Sequence, residues 1–290
     1  MLNTERREEA LAAPVPDAHA QRVGRAAIAA LYDELALAPK PGLVSFVDAG
    51  SHTDMDASTF VRSLFALRHY FARIAMLGAV RAPFAALEAL GVAAEARMLA
   101  ATGGINTHRG AVFTLGLLSA TAGLVGGRFG ALRLREALVT TWGDALHARR
   151  RRASASNGRR AAQAHGLRDV GDEAALGFPI VFEHAVPALA RARAQGLDGR
   201  RARLQTLFEV IAVLDDTNLA HRGGVLGLRF AQAQARAFLC AGGAARPDAL
   251  AHAQAIHQAF VARRLSPGGA ADVLAAAGLV ERVCRNAPTS

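Results

Sequence analysis

The reading of the fold turns on residues 101–118, ATGGINTHRGAVFTLGLL. From Gly110 onward the run is apolar at nearly every position and made mostly of alanine, leucine, glycine and threonine. A segment apolar all round its circumference is a helix enclosed by other helices rather than one lying on a surface. Gly103-Gly104 and the polar group Asn106-Thr107-His108-Arg109 stand at the mouth of that helix. The rest of the chain agrees with a helical reading. Hydrophobic residues make up 52% of the sequence, mostly alanine and leucine, and aromatics only 6%. Such a composition favours helix over sheet. The expectation is therefore all-α: a single large multi-helix, bundle-like domain over residues 21–290, behind a loose tail at 1–20, with its site at helix junctions. At 290 residues the chain is long enough to bury a full core.

The net charge is +10. Its basic residues are almost all arginine, spread along the chain with one dense run at Arg149–Arg152, and Lys40 is the only lysine. No zinc-finger, RNA-recognition or basic-zipper pattern accompanies them, so an anionic small ligand is favoured over nucleic acid. The two cysteines, Cys240 and Cys284, form no disulfide framework or metal spacing. The charged N-terminus lacks the apolar core of a secretory signal, and the longest apolar run, Gly110–Gly127, falls short of the ~20 residues a membrane span needs. These features predict a soluble cytoplasmic protein.

The pattern along the chain predicts a helix over 23–37, stopped by Pro39-Lys40-Pro41-Gly42, and an irregular connection over 43–53. Asp54 or Asp56 then caps a helix carrying Phe60, Leu64, Leu67 and Phe71. Further helices are expected over 84–99 and 109–124, and the polar, basic stretch 147–171 reads as a mobile loop. An amphipathic helix through Leu204, Leu207 and Ile211 ends at Asp215-Asp216. Gly223-Gly224 open another helix to about Leu239, and two helices close the chain over 248–264 and 269–285.

Three constellations carry chemistry. In SHTDMD, His52, Asp54 and Asp56 suit a hard cation, which commonly takes one or two carboxylates plus substrate phosphates, or else Asp54 and Asp56 are plain helix caps. In LDDTNLAHRGG, Asp215 and Asp216 are adjacent carboxylates at a helix end, where negative charge opposes the dipole and a cation would compensate it. Asn218, His221 and Arg222 follow within two turns. In the third, Gly103-Gly104 permit close backbone approach, and a helix N-terminus with His108 and Arg109 suits an anion; a simple Asn or Thr cap is the alternative. Weaker signals are Lys40 as a phosphate contact and Asn157 and Glu173 flanking the basic stretch. Phosphate-loop, nucleophile-elbow, His-Glu-x-x-His and His-Asp patterns are all absent from the sequence, and Asp-Asp-x-x-Asp fails at Leu219.

Taken together, PKPGLVSFVDAGSHTDMDASTF (39–60), ATGGINTHRGAVFTLGLL (101–118), SNGRRAAQAHG (156–166), GDEAALGFP (171–179), LDDTNLAHRGG (214–224) and SPGGAADVLAA (266–276) resemble the triphosphoribosyl-dephospho-CoA synthase family. The resemblance implies an all-helical enzyme that joins ATP to 3′-dephospho-CoA with release of adenine. Its product is a prosthetic-group precursor used by a downstream acyl-carrier-protein transferase in a malonate decarboxylase or citrate lyase system, malonate decarboxylase being preferred. It implies Mg²⁺, with Asp54, Asp56, Glu173, Asp215 and Asp216 as candidate ligands, and Asp54, Asp56, Asp216 and His108 as candidate catalytic groups. Substrate contacts would come from Lys40, His52, Gly103, Gly104, Asn106, Thr107, Arg109, Asn157, Thr217, Asn218, His221 and Arg222. Homo-oligomers are compatible with it. Two other readings stay open: a helical Mg²⁺-dependent hydrolase of N-glycosidic or phosphate bonds, and an arginine-rich nucleic-acid-binding protein.

Overall fold

Apolar helices without β-branched runs can bury themselves only against one another, and that is the architecture seen. The structure is a computed structural model and describes residues 17–127, 129–152 and 157–284. Among the described residues there are helices and no strand: α1 (Ala18–Leu35), α2 (Ala57–Leu67), α3 (Tyr70–Ala79), α4 (Phe84–Ala101), α5 (Arg109–Val125), α6 (Ala131–Arg152), α7 (Asn157–His165) and α8 (Val170–Ala175). A short π-helical turn, Ile180–Ala185, leads into α9 (Val186–Ala194), followed by α10 (Gly199–Val213), α11 (Thr217–Cys240), α12 (Ala249–Ala262) and α13 (Gly268–Cys284).

Helix α5 is the central rod, with an unbroken buried stretch from Thr114 to Gly123. Its glycines explain how neighbours come so near. A Cβ on Gly123 would lie 1.9 Å from the Ala75 carbonyl oxygen, and one on Gly78 would lie 1.8 Å from that of Ala120. Helices α3 and α5 therefore meet backbone to backbone. Gly116 gives way to the Tyr70 ring, whose Oη donates to the Val112 carbonyl at 3.0 Å. Helices α1 and α13 pack against the same rod, and one hydrophobic core runs from Ala20 to Val280.

Several boundaries differ from the sequence-based expectation. Helix α1 starts at Ala18, inside the expected tail, because Asp17 Oδ1 accepts the Ala20 amide at 2.7 Å and caps it. Residues 1–16 of that tail lie outside the described residues. The described residues of the stretch 147–171 are mostly helical. Its arginines are not simply solvated: Arg149 pairs with Glu88 on α4 at 2.6 Å and Arg150 pairs with Asp172. Helix α11 begins at Thr217, and Gly224, with φ of 62°, is a kink inside it rather than its start. The aspartates 215 and 216 consequently precede a helix, so the capping role that the sequence spacing argued against is the one Asp216 performs. Asp56 likewise caps α2 in a reciprocal box with Thr59.

The α3–α5 contact makes a testable demand. Gly123→Val should lower the free energy of urea unfolding by about 3 kcal/mol, since a side chain there must push two backbones apart. Gly103→Ala, at φ of 68° but with open space around its Cβ, should lower it far less.

Candidate active site

The helices place three ends in one region. The N-termini of α5, α11 and α13 converge, and the loop 39–53 is laced to the turn before α13. Ser51 Oγ donates to the Leu265 carbonyl at 2.6 Å, and Arg222 Nη1 donates to the carbonyls of Ser51 and Arg264 at 3.1 and 3.2 Å. His257 braces the same loop, with Nδ1 2.8 Å from the Lys40 carbonyl and Nε2 3.2 Å from Asp48.

Asp216 is the hub, with 1% of its surface exposed. Its Oδ1 accepts the amides of Asn218 and Leu219 at 2.9 and 3.3 Å, and its Oδ2 accepts that of Ala270 at 2.9 Å. One carboxylate thus caps α11 and holds the first turn of α13. Burial pushes its pKa up, while these amides and that of Gly269 pull it back. A Cβ on Gly269 would lie 3.1 Å from this carboxylate, so that position needs a small residue.

Asp272 lies beside it. Its carboxyl meets α5 so closely that a Cβ on Gly110 would fall 2.1 Å from Oδ2, and it accepts the Ala111 amide. Burial raises its pKa well above the ordinary carboxylate range, and the nearby charges of Glu34 and Asp216 raise it further. Glu34 is itself buried and holds Lys40, whose Nζ donates to Glu34 Oε1 at 2.6 Å and to the Glu34 carbonyl at 2.8 Å. Burial lowers the Lys40 pKa, and Glu34 raises it in part. With 2% of its surface exposed, Lys40 is committed to this pair and presents no open ammonium to a phosphate.

His108, 3% exposed, closes the group. Ser63 Oγ lies 2.7 Å from Nδ1 and Phe60 packs edge-on against the ring, yet Nε2 is buried with no partner among the described residues. Burial, reinforced by the Lys40 charge, pushes its pKa down to about 3, so the ring is neutral at physiological pH. Thr107 Oγ1 is also buried without a partner.

A second, more exposed cluster joins His52, Asp54 and Arg222. His52 Nε2 is 2.9 Å from Ser266 Oγ, its Nδ1 is 3.0 Å from Arg222 Nη2, and Asp54 stands 3.7 Å away. Burial and Arg222 together lower its pKa to about 4.

The other sequence-derived candidates divide. Asp56 is occupied as a cap, and its hydrogen bonds from Ser58 and Thr59 hold its pKa down at about 2. Glu173 accepts the Ile180 amide at 3.0 Å and faces Arg168, so it supports the π-helical turn. Arg109 turns to Glu95 at 2.5 Å, and Asn106 Oδ1 accepts the Arg109 amide at 3.1 Å as a cap. Gly103 and Gly104 form an exposed turn with positive φ. Thr217 is half-buried, Asn218 and His221 are exposed, and Asp215 is half-buried before α11. The side chain of Asn157 lies outside the described residues. Among the described residues no three His, Cys, Asp or Glu side chains gather as a metal cage.

Sequence reasoning missed Glu34 and Asp272. Glu34 looks like any polar residue on an amphipathic helix, and Asp272 like an ordinary acid early in one. The available signal was the single lysine six residues after Glu34, and the small residues Gly269 and Ala270 just before Asp272.

Comparison with known proteins places the sequence in a family. Residues 20–289 match the model of the ATP:dephospho-CoA triphosphoribosyl transferase family. The chain belongs to that family. A relative from Acinetobacter calcoaceticus, named "Probable 2-(5''-triphosphoribosyl)-3'-dephosphocoenzyme-A synthase", is 38% identical over 259 residues, covering 88% of this chain and 89% of its own. Proteins of the same name from Azotobacter vinelandii and Citrobacter koseri are 39% and 38% identical, covering 91% and 84% of this chain and 92% and 85% of their own. No solved structure matches the chain. Among the described residues no helix is long and apolar enough to cross a membrane. The family model thus agrees with the sequence resemblance, and the all-helical expectation holds.

A neutral buried histidine has a consequence for stability. The unfolded chain binds a proton at His108 near pH 6.5 but the folded one near 3, so its contribution is present above pH 6.5 and is lost as pH falls. Between pH 7 and pH 5 that loss is about 2 kcal/mol. Urea unfolding at the two pH values should show a drop smaller by about that amount in His108→Gln than in the native protein.

Proposed function

We propose that this chain transfers the 5-triphosphoribosyl group of ATP to the ribose 2′-hydroxyl of 3′-dephospho-CoA and releases adenine. The observation that carries this reading is the pairing of Asp216 and Asp272 where the N-termini of α5, α11 and α13 converge, with the unpartnered Nε2 of His108 on the residue that caps α5. In this displacement the C1′–N9 bond of ATP breaks as the acceptor 2′-oxygen bonds to C1′. The sugar passes through oxocarbenium character, which nearby carboxylates stabilise. Over the turnover the 2′-hydroxyl loses a proton and adenine N9 gains one. Asp272, with its carboxyl poised well above the ordinary range, is assigned to that proton movement. Asp216, clamped by backbone amides, is assigned to positioning Gly269–Asp272 and to charge stabilisation of the sugar. His108 offers its neutral ring nitrogen to the nucleotide, and Arg222 with His52 stands toward the triphosphate.

Mg²⁺ fits this donor set. Asp54 is exposed and makes a single long contact to His52, so its carboxylate is open to a divalent cation, and Mg²⁺ commonly takes one or two carboxylates with the rest of its shell from phosphates and water. Asp54, beside Arg222 on the side assigned to the triphosphate, is the residue assigned to hold it, and when bound it would neutralise triphosphate charge. The triphosphate itself stays on the product. The product is assigned to a downstream acyl-carrier-protein transferase, and the reaction to the cytoplasm where ATP is supplied.

The test is adenine release, followed by chromatography with ATP present and dephospho-CoA present or withheld. Release should require dephospho-CoA. Adenine formed equally without it would overturn the transferase reading in favour of hydrolysis. Asp272→Asn should lower the rate at least ~100-fold with unchanged helical circular dichroism, the size expected for a lost acid–base group. Chelation with EDTA should abolish release and added Mg²⁺ restore it; activity indifferent to chelation would remove the metal from the scheme.

A further inference from the structure

A cleft beside the carboxyl cluster is used by none of the roles assigned so far. It encloses about 590 Å³ between α4 and α6, over a floor supplied by α3 and α5. That volume falls in the range of small-molecule sites. The floor is apolar, formed by Ile74, Phe84, Leu87, Val112, Phe113 and Leu117. The rim is charged but balanced: Arg109 pairs with Glu95, Arg149 with Glu88, and Arg150 with Asp172. Arg149 also lies 4.7 Å above the Phe113 ring, joining rim to floor. Arg109 and Gly110 also line it. A Cβ on Gly110 would fall 2.1 Å from Asp272 Oδ2, so a residue of the cleft lining adjoins the assigned proton-transfer group.

Two substrates must meet at Asp272, and their chemistry differs. A triphosphate carries about four negative charges and would have to displace Glu88 and Glu95 from their arginines. The arm of dephospho-CoA beyond its diphosphate is uncharged, with a geminal dimethyl group, a hydroxyl, two secondary amides and a thiol. Such a chain finds apolar floor for its methyl and methylene groups. Its amide carbonyls find guanidinium donors, and its amide N–H groups find carboxylate acceptors. A rim of paired opposite charges suits amides better than it suits a polyanion.

We infer that the α4–α6 cleft binds the amide-bearing aliphatic arm of the acceptor, with the acceptor ribose toward Gly110. This assignment rests on the proposed transferase reaction and adds to it the place of each substrate: the acceptor arm lies in the cleft, and ATP approaches from the His52–Arg222 side.

Val92, on the α4 wall and 63% exposed, can be enlarged without disturbing the core. In Val92→Trp the KM for dephospho-CoA in adenine release should rise at least tenfold while the KM for ATP stays within twofold. Isothermal titration of dephospho-CoA into native protein and variant, without ATP, should show the same loss of affinity. A raised KM for ATP would give the cleft to the nucleotide donor, and unchanged values for both substrates would empty it of either; each result overturns the inference. Should the native protein release no adenine, the transferase reading fails, and the titration still decides whether the cleft holds this arm. Val92→Phe serves in place of the Trp variant if thermal melting shows that variant to be unfolded.

Discussion

The carboxylate of Asp216 is where two helices that are distant in sequence become one structure. Its two oxygens accept amides from the first turns of α11 and α13, so one side chain fixes the angle at which both helices enter the site. Each helix N-terminus carries partial positive charge and unsatisfied N–H groups, and an anion between two of them satisfies both. An asparagine there would keep one acceptor but lose the charge. Without the clamp Gly269 and Ala270 would have no fixed position, and Asp272, two residues on, would not be held against Gly110. The chemistry assigned to Asp272 therefore depends on a bond that Asp272 does not make.

The clamp works only because α5 is rigid beneath it. Gly78, Gly116 and Gly123 let α3 and α5 approach to backbone contact, which fixes the depth at which the mouth of α5 sits. His108 and Thr107, immediately before that helix, then have little freedom. Their unpartnered polar atoms are a cost that a folded chain rarely carries without a use, since an orphaned buried group forfeits on the order of 1–3 kcal/mol. A substrate that supplies the missing partner recovers it on binding.

The helical class was legible because an alanine- and leucine-rich chain with an all-round apolar run has no alternative way to bury itself. The pieces of the site were legible as local patterns: DTN, NTH and the loop from Lys40 to Asp56 all lie near the convergence. What was not legible was orientation. Asp215-Asp216 read as the end of one helix because hydrophobic spacing stops there, whereas a cap belongs to the helix that follows. Lys40 looked available as the sole lysine, but its partner Glu34 lies on the previous helix and buries it. The basic stretch 147–171 looked like loop because its neutralising carboxylates, Glu88 and Asp172, come from other elements. The last two errors are tertiary contacts that no local pattern encodes; the first is a cap whose direction hydrophobic spacing does not give.

Electrostatics set the remaining constraint on how ATP approaches. Glu34, Asp216 and Asp272 place negative charge in the buried region, and Lys40 answers Glu34. A triphosphate brought to that region meets like charge on its way to the sugar-binding position. Three converging helix N-termini offset part of this repulsion, and protonation of Asp272 offsets more. The residue of negative charge is what a divalent cation arriving with the nucleotide would neutralise. It also orders the substrates in space: the polyanion belongs on the Arg222 side, and the uncharged arm belongs in the cleft whose arginines are already paired.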